Sequence, residues 1–226
     1  MLRALSLLGI DTSTAASAAC VLRADGASFE VEPSPERLRD GPAHARELMP
    51  AVAEAMERAG LDYGDLDAIA VGVGPGTFTG LRIGIATARA LAGASGLPLR
   101  PVSSLAALAE GIEGDLRLPL IDARRGELFA ALYAAGGEGL WPPFVAAPEQ
   151  VAERVREAGY RVRAAGDGSI RSRGVLEAAG IGVEADESRA HVVRALHVCR
   201  LARTVPGEPP EAVLPEYLRT PDVKPQ

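Results

Sequence analysis

Lysine is almost missing from this chain. Of its 24 basic residues only Lys224 is a lysine, and it sits in the tail. No P-loop lysine, Schiff-base lysine or buried catalytic lysine is therefore available in the body of the protein, which removes several enzyme classes. Cysteine and histidine are scarce too. Cys20 and Cys199, far apart, make neither a disulfide framework nor a zinc site, and both read as small buried thiols. His44, His191 and His197 are too scattered for a helical metal pair, so no metal site is expected. Long apolar runs are also lacking, which argues against a membrane span. The amino-terminal MLRALSLLGIDTS has no small-residue cleavage site and reads as a buried strand, so the expected compartment is the cytoplasm. A formal net charge of −6 gives no basic face with which this chain alone would hold RNA or DNA.

What is present suits one large domain or two small lobes: 226 residues, 47% hydrophobic and 24% charged. Residues 4–11 and 15–23 read as strands joined through DTST, and Asp25-Gly26 turns the chain into a third strand near Ser28–Val31. Residues 32–43 read as a loop. HARELMPAVAEAMERAG then places Leu48, Met49, Val52 and Met56 on one helical face, with Gly60 as its stop and Pro50 implying a late start or a kink. Leu66–Val73 is a strand, 79–95 a helix rich in Ala and Gly, and a helix follows with Ser103 or Ser104 as N-cap. Leu116–Asp122 and Glu127–Tyr133 form a second strand pair around ARRG. Residues 136–147 read as a Gly/Pro-rich linker. Helices are expected over 149–158, 169–179 and 188–204, a strand over 160–165, and an irregular Pro-rich tail. The strand–hairpin–helix order recurs loosely, near residues 4–59 and again near 116–158, as two related lobes would require.

VGVGPGTFTG, residues 71–80, raises the question of phosphate binding. Neither the dinucleotide fingerprint nor the P-loop pattern fits its spacing. A helix N-terminus carrying Thr77 and Thr79 remains a weak anion site. The alternative is packing: Gly80, Gly84, Ala86, Ala88, Ala90, Ala92 and Gly93 leave the helix bare enough for close approach, and another subunit is the favoured neighbour. Phe78 in the turn is either a plug into the core or an anchor for a partner.

Several stretches together, GIDTSTAAS, HARELMPAV, GVGPGTFTGLRIGIATARALA, PVSSLAALA, IDARRGELFAALY and the tail PEYLR, resemble the dimerisation subunit of the bacterial threonylcarbamoyladenosine machinery, the TsaB or YeaZ-like family. The resemblance runs in order over nearly the whole chain and is weakest over 136–205. It implies the α/β, two-lobed actin/sugar-kinase/Hsp70-like (ASKHA) fold, with a first lobe over 1–110 and a smaller second lobe over 111–226. The family's catalytic relative, TsaD, carries a His-x-x-x-His metal pair on the helix after the glycine stretch. The matching positions here are Ser104 and Leu108, so the metal site and the transferase chemistry are expected to be absent.

The resemblance also implies a role: a non-catalytic subunit that dimerises with the catalytic one. It would support modification of the adenosine flanking the anticodon in tRNAs reading ANN codons, from a threonylcarbamoyl adenylate. An ATPase subunit (TsaE-like) could join, and a homodimer would form when the partner is missing. The expected interface comprises His44, Leu48, Val52 and Met56 on the first helix, with Phe78, Thr79, Leu81, Arg82 and Ile85 on the glycine-rich one.

Asp11, Thr12 and Ser13 sit where the superfamily wraps its first phosphate loop, and Asp122 with Arg124 and Arg125 lies at the second hairpin. Residual ATP or ADP binding between facing lobes is one reading, with a small hydrolase or kinase as its extreme form. Turn chemistry and a local ion pair are the other. A general base at His44 lacks a nucleophile nearby, so a helix-end or interface role is preferred. The arginines between 154 and 173 are interleaved with Glu153, Glu157 and Asp167, and read as a solvated face rather than a tRNA contact.

Overall fold

The computed structural model describes residues 4–218. Its elements in chain order begin with β1 (Leu7–Asp11), β2 (Ala18–Leu22), β3 (Ser28–Val31), α1 (His44–Ala59), β4 (Ala68–Gly74), α2 (Phe78–Ser95), β5 (Leu99–Ser103) and α3 (Ser104–Ala109). The second half supplies β6 (Leu116–Arg124), β7 (Glu127–Ala134), β8 (Gly139–Ala146), α4 (Pro148–Ala158), β9 (Arg163–Ala165), α5 (Asp167–Arg171), α6 (Arg173–Ala178), β10 (Gly182–Val183) and α7 (Ala195–Ala202).

Two five-stranded sheets result, ordered β3-β2-β1-β4-β5 and β10-β9-β6-β7-β8. Read from its other edge, the second sheet repeats the first, with β6 in the place of β1. In each, the hairpin strands pair antiparallel, and the strands that follow helices pair parallel. This duplicated topology is the one expected of the actin/sugar-kinase/Hsp70-like superfamily.

The core falls into layers. α1 and α2 cover the outer face of the first sheet, where Leu8, Ile10, Val52, Ile69 and Ile85 meet. α3 and α7 lie between the sheets with Leu7, Leu105, Leu108, Ile121, Phe129 and Val198. α4 and α6 cover the far face of the second sheet, around Leu118, Leu132, Val151 and Leu176. The first lobe has helices of 16 and 18 residues, and their counterparts have 11 and then 5 and 6, so the second lobe is reduced. The stretch 111–226 does not all lie in that lobe. α7 packs on β1 and β2, with Cys199 Sγ near the Leu7 and Cys20 carbonyls, and the chain beyond it pairs Glu208 with Leu99 at the edge of the first sheet.

Several local expectations change. Residues 139–146, read as linker, are an edge strand, a position that tolerates Pro142 and Pro143 because one side of its ladder is unpaired. α1 runs unbroken from His44 through an exposed Pro50, so there is no late start. The helix expected over 169–179 is two short helices meeting at Ser172, and 188–204 becomes a 3-10 turn at Arg189–His191 followed by α7. Ser103, not Ser104, caps α3: its side chain accepts from the Ala106 amide. The tail motif's Arg219, and Lys224, lie outside the described residues.

Candidate functional site: two hairpins and a glycine turn

Asp11 ends β1 and is 1% exposed. Its Oδ1 accepts from both the amide (2.8 Å) and the hydroxyl (2.6 Å) of Ser13, and its Oδ2 from the Ser104 hydroxyl at 2.8 Å. Burial pushes the carboxyl above its ordinary range, while the bonds from Ser13 and Ser104 pull it back down. Thr12 donates its hydroxyl to the Gly80 carbonyl at 2.7 Å, and the Thr77 amide donates to the Ser13 carbonyl at 2.7 Å. The loop is thus tied to itself and to the start of α2.

The glycines make that closure possible. A Cβ at Gly72 would stand 1.8 Å from Asp11 Oδ2, at Gly76 2.5 Å from the Ser13 carbonyl oxygen, and at Gly80 2.0 Å from that of Thr12. One at Gly84 would stand 2.2 Å from the Thr12 hydroxyl. Their closest approach is to this chain's own first loop, which corrects the favoured neighbour: these contacts are intramolecular. Of the two readings of Asp11, Thr12 and Ser13, it favours turn chemistry over phosphate binding. Both carboxylate oxygens and the hydroxyls are already engaged, and no side chain of the three is more than 2% exposed.

Asp122, near the end of β6, differs. Its Oδ1 accepts from the Arg124 amide at 2.8 Å, and its Oδ2 from Arg124 Nη1 at 3.1 Å and Arg171 Nε at 3.0 Å. The two guanidinium side chains are 52% and 65% exposed. Beneath lies Asp167, whose Oδ1 accepts from the Asp122 amide at 3.0 Å. Burial first, and the neighbouring Asp122 charge among lesser causes, raise Asp167 to about 6. Arg124 and Arg125 both take left-handed backbone, φ 64° and 55°, where only Gly126 is at ease. Asp122, Arg124 and Phe129 line a cleft of about 510 Å³ with Thr77, Phe78 and Tyr217. Asp11 is not part of its wall, so Asp11 and Asp122 do not share one cleft.

The expected interface residues divide. Leu48, Val52, Met56, Leu81 and Ile85 are 0–6% exposed and pack inside this chain, so they cannot be surface anchors. The helical stripe facing the sheet was read as a stripe facing a partner. His44 is also buried, 2.9 Å from the Ser17 hydroxyl through Nδ1, and burial lowers its pKa. Phe78 (40% exposed), Thr79 and Arg82 are on the surface. Met49, read as apolar-face core, is 44% exposed. With Ala45, Ala53, Ala86 and Ala90 it gives α1 and α2 an outward surface of small and apolar side chains.

Tyr217 was missed, because it falls in a tail read as irregular. It stacks on Phe78 (ring centroids 5.4 Å apart), and its hydroxyl accepts from Arg82 Nε at 3.1 Å. Asp167 was missed as well; it was read as one of the acids interleaved with the arginines between 154 and 173. The arginines between 154 and 173 are mostly engaged locally, Arg156 with Glu153, Arg163 with Glu184 and Arg173 with Glu177 and Asp186, while Arg154 lies over Trp141. Ser104 and Leu108 are buried, and no group of three or more His, Cys, Asp or Glu able to hold a metal occurs among the described residues. No helix among them is long and apolar enough to cross a membrane.

Residues 39–170 match the family model described as TsaD, tRNA N6-adenosine threonylcarbamoyltransferase. An uncharacterized protein of Mycobacterium tuberculosis is 35% identical over 97% of this chain and 94% of its own length. The tRNA threonylcarbamoyladenosine biosynthesis protein TsaB of Escherichia coli is 36% identical over 67% of this chain and 66% of its own. The solved structure of YeaZ from Pseudomonas aeruginosa superposes with a TM-score of 0.78 at 30% identity, over 95% of this chain and all of that one.

Proposed function

The chain belongs to the TsaB/YeaZ-like family, and from that premise we propose that it serves tRNA threonylcarbamoyladenosine biosynthesis as a non-catalytic subunit dimerising with a TsaD-like transferase. The modified base would be the adenosine flanking the anticodon in tRNAs reading ANN codons, and the setting the cytoplasm. A TsaE-like ATPase is a further member of the assembly in this reading, and the chain holds no resident cofactor and no tRNA of its own.

One observation carries the non-catalytic role. The first-lobe loop, where this superfamily would hold phosphate, is closed by Ser13, Ser104 and the glycines of α2. The outward surface of α1 and α2 supports dimerisation, since the same helices already rest on a complete core behind it. Small side chains there let a partner's helices approach closely.

The test is mixing with the catalytic subunit of the same organism, followed by size exclusion with light scattering and an assay of tRNA modification. Complex formation and a dependence of modification on this chain are expected. Met49→Glu with Ala86→Glu should abolish both while leaving the fold intact. Modification that proceeds equally well without this chain would sink the proposal.

A further inference from the structure

Arg82 on α2, like Arg154 over Trp141 and Phe144 on the far lobe, is held in place by aromatic rings and forms no ion pair among the described residues. Its guanidinium carbon lies 3.8 Å from the centroid of the Phe78 ring, and its Nε donates to Tyr217 at 3.1 Å. Phe78 and Tyr217 stack on each other, so three side chains from α2 and the tail fix one another. The tail is itself anchored there, for the Glu216 amide donates to the Val73 carbonyl at 2.7 Å. No described carboxylate forms an ion pair with Arg82. Glu216 lines the cleft, but it too makes no ion pair with Arg82. The terminal Nη1 and Nη2 donors are therefore left as a fixed, outward fork.

Such a fork matches a carboxylate, which takes two parallel N–H bonds in one plane. Ordering the side chain beforehand removes much of the entropy that a free arginine loses on binding. We propose that the Phe78–Arg82–Tyr217 stack is the anchor of the docking face and grips an aspartate or glutamate side chain of the TsaD-like partner. The inference rests on the partner-subunit reading above, and it adds the chemistry that the partner must present. A second copy is the weaker occupant. α2 carries Arg82 and Arg89 and no acidic residue, so packing α2 against α2 across a two-fold axis would set guanidinium against guanidinium. Of the α1 carboxylates, Glu47 is already paired with Arg37 and Glu54 with Arg58, and Glu57 is near the opposite end of the helix from Arg46 and the α2 groove.

The experiment measures the dissociation constant of the full chain with the catalytic subunit at several salt concentrations. Arg82→Met keeps the stem over Phe78 and removes the fork; it is expected to weaken binding by about 30-fold or more and to flatten the salt dependence. Arg82→Lys, which keeps the charge without the fork, should recover only a small part, and it serves in place of the first variant should that one fail to fold. Tyr217→Phe, which frees Nε, should weaken binding by a smaller factor, about fivefold. Arg161→Met, on the far lobe, is the unchanged control. Unaltered affinity and salt slope in Arg82→Met, with wild type binding well, overturn the anchor and leave the partner reading standing. Loss confined to self-association assigns the carboxylate to a second copy and also overturns it. No binding by the wild-type chain overturns both.

Discussion

Asp11 ends β1 and Asp122 lies near the end of β6, the central strand of each sheet, and an antiparallel hairpin follows both. Each also faces a glycine turn between a parallel strand and a helix, Gly72–Gly80 in one lobe and Gly166–Gly168 in the other. Asp11 is satisfied by neutral hydroxyls and an amide, inside the protein. Asp122 is satisfied by its own turn and by two guanidiniums open to water. The backbone position is shared. The difference comes from what the hairpin supplies, short hydroxyl residues in DTST against long cations in ARRG. Short side chains fold back and seal a site, whereas arginines reach outward and keep it wet.

That contrast can be attacked first where closure is tightest. Gly72→Ala is expected to cost about 3 kcal/mol of unfolding free energy in a urea titration, since the new carbon has no room beside Asp11. Gly93→Ala, on the open side of α2 with nothing within 4 Å, should instead stabilise by about 0.5–1 kcal/mol. Equal responses would mean that the glycines do not close the loop.

A smaller effect separates the two aspartates. Asp11→Ala strands buried donors of Ser13 and Ser104 and should cost about 2–3 kcal/mol. Asp122→Ala leaves solvent-exposed arginines to water and should cost about 1 kcal/mol or less. Matching losses by denaturant titration would show that Asp122 is as much a core group as Asp11.

A further contrast concerns pH. Asp167 is held at about 6 in the folded chain against an ordinary 3.8. The folded state then binds this proton more tightly than the unfolded state, so its contribution favours folding at low pH. It is lost as pH rises between about 4 and 6. Asp167→Asn keeps an acceptor for the Asp122 amide and removes the titration. It should flatten that part of the stability profile and raise stability at neutral pH by about 1–3 kcal/mol. A profile unchanged by the substitution would place the low-dielectric site elsewhere.

Much of the architecture was legible because period and punctuation agree along the chain. The apolar runs of β1, β4 and β6 and the stripe of α1 announce themselves, and the repeated strand–hairpin–helix order pointed to two related lobes. Three things were not legible. GLWPPFVA reads as linker because proline is usually excluded from strands, and only its place at the edge lifts that exclusion. A row of glycines states that something comes close without stating what, so another subunit was favoured as the neighbour when Thr12 and Ser13 were. Leu48, Val52 and Ile85 carry the periodicity of a buried face, and periodicity cannot distinguish one's own sheet from another molecule. Of the surface that remains, Arg82 was among the residues named from the sequence, whereas Met49 and Ala86 are chemically quieter and give little signal.

The return of α7 to the first sheet has a consequence for synthesis on the ribosome. When the strands β1, β2, β4 and β5 have all emerged, the helix that covers their inner face is still some 90 residues from being made, at Ala195–Ala202. The second lobe, from β6 to β10, is complete before the first one is. An amino-terminal lobe exposing Leu7, Cys20 and Leu105 must therefore wait, shielded or partly collapsed, until nearly the whole chain has been translated.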